Sequence, residues 1–292
     1  MSVALVTGTS AGIGLETALT LSRRGVTTYA SMRNTAKAGE LRERAAAEGL
    51  TAEVITLDVN DNASVTAAVR SIEDRHGAVD ILVNNAGNHH TGPIEALPLE
   101  QAESIIDTNL MGPVRTTRAV LPAMRARGNG VIANIGSIWG RLPSAPQTAF
   151  YNASKAGLSA ITESLAWEVG HFGIRVLHLA PEVFSTDIAH RQSPEYAEPY
   201  TADAQWVDHF RQVSSQGAPS PAVAAESIVE AVLGPGTPLH QYIGPGASKP
   251  LFDIAAAAAG SYERWAESAL PLFESIAGPR PVPSSAEDDP HQ

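Results

Sequence analysis

Apolar residues along this chain come in short unbroken runs and in longer stretches spaced for one helix face, and the two kinds alternate. Val3 to Thr7 is a run with β-branched side chains. Glycines follow, and then Leu15 to Leu21 at helical spacing, which reads as strand, tight turn, helix. The rhythm repeats. It predicts strands at Val26 to Ser31, Val54 to Leu57, Val79 to Asn84, Gly130 to Ile135 and Ile174 to Leu179. Between them it predicts helices at Ala36 to Glu48, Asn62 to His76, Leu99 to Arg127 and Asn152 to His171. Strands alternating with helices imply a parallel sheet covered on both faces and joined by right-handed crossovers.

After Leu179 the rhythm breaks. Residues 187–217 carry Tyr196, Tyr200, Trp206 and Phe210 among acids and prolines. They read either as a helical lid over a pocket or as a pair of surface helices using the aromatics as a local core. Ala222 to Leu233 returns to helical spacing, and His240 to Ile243 supplies a last strand. Residues 279–292, rich in proline, serine and acids, are expected to form a disordered tail. The expected fold is therefore α/β: a doubly wound, Rossmann-like parallel sheet of seven strands in a single domain over residues 1–278, with a helical lid insertion.

Composition narrows what such a fold can serve. The 292 residues are 43% hydrophobic, enough for a sizeable core. Twenty basic residues against 31 acids give a net charge of -11, which disfavours a nucleic-acid partner. With no cysteine there is no disulfide framework, thiolate nucleophile or cysteine-ligated metal. Histidines are scattered apart from His89-His90, and no metal site is expected. The first residues lack a basic start or an apolar run of signal length, and Ile254 to Ala259 is too short to span a bilayer. A soluble, cytoplasmic protein with no membrane partner is the default.

Candidate chemistry begins at the first turn. Gly8, Gly12 and Gly14 form a G-x-x-x-G-x-G pattern after a strand and at the start of a helix. Glycines there permit a tight turn and close backbone approach to a pyrophosphate, which the helix N-terminus favours. The second strand ends in Tyr29-Ala30-Ser31-Met32-Arg33-Asn34, without the acid that binds the ribose hydroxyls of NAD. Arg33 suits a 2'-phosphate instead, with Ser10 adding a hydrogen bond; the plain alternative for Arg33 is a solvent-facing charge. Asp58, closing the third strand, suits the adenine amino group, or else caps a helix. Tyr151 and Lys155 stand four residues apart, on one face of a helix, where an ammonium stabilises a phenolate near neutral pH.

In order and approximate spacing, TGTSAGIG, Asn84-Asn85-Ala86-Gly87, Asn109 in DTNLMG, Ser137 in NIGSIWG and Tyr151-x-x-x-Lys155 resemble the short-chain dehydrogenase/reductase family over residues 3 to 190. The segment YASMRN resembles its NADP-preferring branch, which includes 17β-hydroxysteroid dehydrogenases and carbonyl reductases. The resemblance implies that Tyr151 exchanges a proton with a substrate oxygen while hydride passes between substrate carbon and nicotinamide. It implies that Lys155 lowers the tyrosine pKa and holds the nicotinamide ribose, that Ser137 hydrogen-bonds the substrate oxygen, and that Asn109 kinks its helix and binds a water leading from Lys155 to solvent. NADP(H) would also lie against Ile13 in the glycine turn, Val59 after Asp58, and Asn85, Ala86 and Gly87 beside the fourth strand. Pro181, Phe184 and Thr186 would border the nicotinamide. A homodimer or homotetramer is implied by the helices Leu99 to Arg127 and Asn152 to His171.

Two departures from the family pattern stand out. Glu182 replaces the usual glycine after Pro181; it is expected to face solvent, the alternative being a place in the pocket. Thirteen residues separate Ser137 from Tyr151, one more than is usual, an insertion the loop Gly140 to Gln147 would absorb. The resemblance places Trp139, His89-His90 and Phe150 around the substrate, the alternatives being core packing for each and a solvated loop for His89-His90; with the lid aromatics they suggest a bulky, partly apolar ketone or alcohol. The expected function is an NADP(H)-dependent interconversion of ketone and secondary alcohol, reduction being favoured because cellular NADP pools are mostly reduced. The rivals are a redox-neutral epimerase or cyclase on the same framework and a non-catalytic NADP-binding sensor or scaffold.

Overall fold

A computed structural model describes residues 2–141, 147–186 and 215–246, with positions 200, 201, 204, 249 and 253. Its elements run β1 (Val3–Thr7), α1 (Gly12–Arg23), β2 (Thr27–Met32), α2 (Gly39–Ala47), β3 (Ala52–Thr56), α3 (Asn62–His76) and β4 (Ile81–Asn84). There follow α4 (Leu99–Ile106), a π-turn (Asp107–Met111), α5 (Gly112–Arg127), β5 (Gly130–Ile135), α6 (Ala149–Val169), β6 (Ile174–Pro181), α7 (Pro221–Leu233) and β7 (His240–Ile243). The seven strands form one parallel sheet in the order β3-β2-β1-β4-β5-β6-β7. The order reverses between β1 and β4, and a crevice opens beyond the carboxyl ends of such strands.

Side chains alternate through the sheet with the period of a strand. Ala4 and Val6 face Leu15, Leu19, Ile228 and Val232 of α1 and α7. Val3 and Leu5 face Val65, Val69 and Ile72 of α3, Val120 and Met124 of α5, and Leu165 and Val169 of α6. Both faces are thus buried, as the unbroken apolar runs require. Asp61 caps α3 by accepting the Ala63 N–H at 2.8 Å, and Ser220 caps α7 ahead of Pro221. At the amino ends of the strands Asp80 ties three elements together. It accepts the Val3 N–H at 2.8 Å and Arg127 Nη1 of α5 at 3.0 Å, while Arg127 Nη2 reaches the last carbonyl of α3 at 2.7 Å.

The expected long helix from Leu99 to Arg127 is interrupted, because the Asp107–Met111 turn inserts an extra residue and redirects the axis. Helix α6 starts at Ala149 rather than Asn152, so Tyr151 lies in its first turn. The other boundaries shift by a few residues at most, except at α1 and α2, which both begin on glycine three residues from the expected start. Most of the proposed lid and the whole expected tail lie outside the described residues.

Candidate active site

The glycine turn is locked to the end of β4. Gly8 has a φ of +71°, and a Cβ there would fall 2.7 Å from the Ala86 Cα. A Cβ on Gly14 would fall 2.3 Å from Asn85 Nδ2. That amide donates to the carbonyls of Thr7 (2.9 Å) and Gly8 (3.1 Å), while the backbone N–H groups of Asn85 and Ala86 both donate to Thr7 Oγ1 at 3.0 Å. Asn85, Ala86 and Gly87 therefore brace the turn. Helix α1 begins at Gly12 with no side-chain cap and no acid in its first turn, which leaves its positive end suited to an anion. Ile13 packs against the core behind the turn, and Ser10 is partly buried within it.

At the end of β2, Arg33 is exposed and makes no ion pair among the described residues. Arg44 is engaged instead, bonded to Glu16 at 2.6 and 2.8 Å. Asp58 accepts the Asn60 N–H at 3.0 Å and does not cap α3, a task that falls to Asp61. Val59 is buried against Gly112. These groups lie at the ends of β2 and β3.

On the other side stand β5, α6 and the π-turn. Ser137 opens the short 3-10 turn after β5, and its Oγ accepts the Trp139 N–H at 3.2 Å. Burial pushes the Tyr151 phenol pKa up, and a hydrogen bond from Ser137 pulls the other way without overcoming it. Lys155 is buried, donates to the Ile135 carbonyl at 2.7 Å, and holds Nζ 5.8 Å from the Tyr151 ring centroid. Desolvation lowers its pKa to about 8. With its pKa raised, the tyrosine is protonated near neutrality.

Asn109 sits in the π-turn with its amide fully used. Oδ1 accepts the Asn88 N–H at 2.8 Å, and Nδ2 donates to the Asn88 carbonyl at 2.9 Å and to Ser154 Oγ at 3.1 Å. Ser154 in turn donates to the Tyr151 carbonyl at 2.7 Å. The Asn109 amide in this turn binds the loop after β4 to the helix that carries tyrosine and lysine. Within that loop, the His89 ring lies edge-on to Tyr151 at a centroid distance of 4.6 Å.

Pro181 closes β6 in register with Ile243. Phe184 is buried in the core on the α1 face, and Thr186 Cγ2 comes within 3.4 Å of where a Cβ on Gly12 would stand. The segment after β6 thus returns over the glycine turn. Glu182 does not face solvent. It is buried and accepts from the Tyr242 hydroxyl, while its backbone N–H donates to Ile243 at 3.0 Å, fastening β6 to β7. Trp139 and Tyr242 pack on Ile138 and Ala180, and Phe150 and Tyr151 pack on Leu97, Ala102 and Ile105.

The sequence reading missed what lies beneath. Thr116 of α5 donates to Asn84 Oδ1 (2.6 Å), Asn84 to Asn134 Oδ1 (2.8 Å), and Asn134 to Thr162 Oγ1 of α6 (2.9 Å). Two asparagines inside apolar strand runs were the available signal, since asparagine is disfavoured in strands. Under Ser137, His178 is fully buried 5.1 Å from the His240 ring, and Gly136 leaves room for it. Burial drives its pKa well below the ordinary value, so it is neutral at pH 7. Arg141 ties the loop after β5 to Glu163 of α6 at 2.9 Å.

The profile of the short chain dehydrogenases matches residues 2–197. The chain belongs to that family. Human 17-beta-hydroxysteroid dehydrogenase type 1 is 33% identical over 255 residues, spanning 82% of this chain and 77% of that protein. Among solved structures, a short-chain dehydrogenase from Streptomyces avermitilis superposes with a TM-score of 0.77 at 33% identity, covering 93% of this chain and 98% of its own. A gluconate 5-dehydrogenase from Burkholderia cenocepacia, solved with NADP and tartrate, gives 0.69 at 28% identity, over 85% and 95%. As a short-chain dehydrogenase the protein is an oxidoreductase of a fold that binds nicotinamide dinucleotides. Among the described residues no helix is long and apolar enough to cross a membrane, and no cluster of metal-binding side chains is present.

Proposed function

We propose that this short-chain dehydrogenase interconverts a ketone and a secondary alcohol with NADP(H), working chiefly as a reductase. The carrying observation is the Ser137–Tyr151–Lys155 constellation, with a protonated phenol hydrogen-bonded by the serine and a buried lysine beside it. The glycine turn fits a pyrophosphate, because Gly8 and Gly14 leave no room for side chains where the backbone must approach and the start of α1 carries no competing acid. Arg33 and Ser10 would hold a 2'-phosphate, and Asp58 and Val59 would flank the adenine. Asn85 to Gly87, Pro181, Phe184 and Thr186 would shape the nicotinamide end. When bound, the nicotinamide supplies or takes up a hydride.

The protein's own part is proton handling and orientation. Tyr151 gives its proton to the carbonyl oxygen, Ser137 places that oxygen beside the phenol, and Lys155 favours the phenolate left behind. Asn109 keeps the tyrosine helix and the loop after β4 in register, and a water there would link Lys155 to solvent. NADP rather than NAD is supported by the missing acid at the end of β2, by the unengaged Arg33, and by the similar gluconate 5-dehydrogenase solved with NADP. Trp139 on the turn after β5 and Phe150 beside Tyr151 support a bulky, partly apolar substrate. Met111, 40% exposed between α4 and α5, supports a homodimer or homotetramer formed through these helices. A cytoplasmic setting accords with a soluble, cysteine-free chain. The Glu182–Tyr242 bond gives the unusual glutamate a place in the frame, so it no longer motivates a redox-neutral reaction.

The test is the fall in reduced-nicotinamide absorbance with NADPH or NADH and a panel of ketones. Wild type is expected to consume NADPH, and Tyr151→Phe to lose turnover by ~10²–10⁴-fold, the span of general acid catalysis. NADPH that binds but is never consumed, with no alcohol oxidised by NADP, would refute the proposal.

A further inference from the structure

Gln147, the residue before the cap of α6, is set apart by two independent features. It is the one non-glycine residue with positive φ among the described residues, at +63°. Its side chain is buried, with 8% of its surface exposed, and among the described residues neither Oε1 nor Nε2 has a hydrogen-bond partner. The left-handed backbone is unfavourable for any residue with a Cβ. A buried amide cut off from water is unfavourable again. Glycine would remove the first cost and leucine the second, yet the chain carries both at one position, four residues before Tyr151.

The backbone here is firmly held. The Gln147 carbonyl accepts the Gly92 N–H at 2.8 Å, which clamps it to the loop whose His89 ring lies against Tyr151. Gln147 is thus tied through its backbone to the loop that carries His89 against Tyr151. Backbone strain and unpaired buried polar groups gather where a ligand completes the site.

We propose that Gln147 is a specificity-determining residue that binds a hydroxyl group carried by the substrate close to the reacting carbonyl. The hydroxyl donates to Oε1 and accepts from Nε2, so its one donor and its lone pairs match both halves of the amide. A carboxylate would set an acceptor against Oε1, and a methylene would satisfy neither atom. The substrate class is then a hydroxyketone, and the product the corresponding diol. This deepens the ketone–alcohol reading above and rests on it.

The experiment measures NADPH oxidation with matched pairs, 2-hydroxycyclohexanone against cyclohexanone and 2-hydroxyacetophenone against acetophenone. Wild type, Gln147→Leu and Gln147→Gly are compared by the ratio of kcat/KM for the hydroxylated and parent ketones. Wild type is expected to favour the hydroxyketone about tenfold, the size of one well-made hydrogen bond, and both variants to fall near parity. Glycine suits the left-handed backbone, so Gln147→Gly should melt no lower than wild type and carries the test if the leucine variant fails to fold. A wild type without preference, or a glycine variant that keeps it, overturns the assignment while leaving ketone reduction standing. If wild type turns over none of the four ketones, nor any other, the ketone–alcohol reading falls and takes the assignment with it.

Discussion

Lys155 carries the sharpest consequence at the scale of single residues. Its pKa in the folded protein, about 8, lies below the 10.5 of an ordinary lysine. Between those values the unfolded chain holds more protons, so the contribution of this residue to stability rises as pH climbs from 8 to 10.5. That rise should disappear in Lys155→Met, read from urea midpoints across the range. The same ionisation should appear in catalysis: kcat/KM for ketone reduction is expected to fall above about pH 8, as the ammonium that favours the departing phenolate is lost. A flat profile to pH 10 would separate the lysine charge from the reaction. Tyr151 and Lys155 were legible because four-residue spacing survives any uncertainty over where their helix begins. Gln147 was legible only as part of a loop one residue too long, since neither its backbone angle nor its unmatched amide leaves a mark in sequence. Glu182 was noticed but misdirected, because its partner Tyr242 lies sixty positions away on another strand.

At the scale of elements, the π-turn is the feature that periodicity conceals. Apolar residues continue at helical spacing on both sides of it, and nothing in the pattern from Leu99 to Arg127 records the extra residue at Asp107–Met111. Only the resemblance pointed to a kink at Asn109. The turn is held by side-chain bonds to another segment, so its stability is tertiary. Asn109→Leu strips partners from both the N–H and the carbonyl of Asn88, and each stranded group costs about 1–3 kcal/mol. A lowered denaturation midpoint, with the His89 loop losing hydrogen-exchange protection before the sheet does, is the expected result. Equal loss of protection throughout would show that the turn serves the fold as a whole. The strands were easier to read, because a parallel strand buried on both faces leaves an unbroken apolar run.

Taken as a whole, the molecule places the groups proposed to hold adenosine beside β2 and β3 and those proposed to transfer the proton beside β5 and α6, with the glycine turn between them. A ligand that engages both halves should stabilise the entire domain. At a hundred times its dissociation constant NADPH is expected to add about 2.7 kcal/mol, seen as a raised melting temperature, and NADH less at equal concentration. Arg33→Ala should erase the difference between the two. An equal response to both cofactors in wild type would mean that Arg33 is only a surface charge. The parallel sheet and both helical layers follow from the alternation of runs in the sequence. The polar ladder from Thr116 to Thr162 does not, because its members come from four elements and share no local pattern.

Asp80 fastens the start of β1 to the ends of α3 and α5 at the floor of the sheet, away from the crevice. A handle attached ahead of Val3 would pull against that triple knot and leave the glycine turn unloaded. Coupled to a solid support through such a handle, the enzyme would stand with its reacting end turned toward the medium.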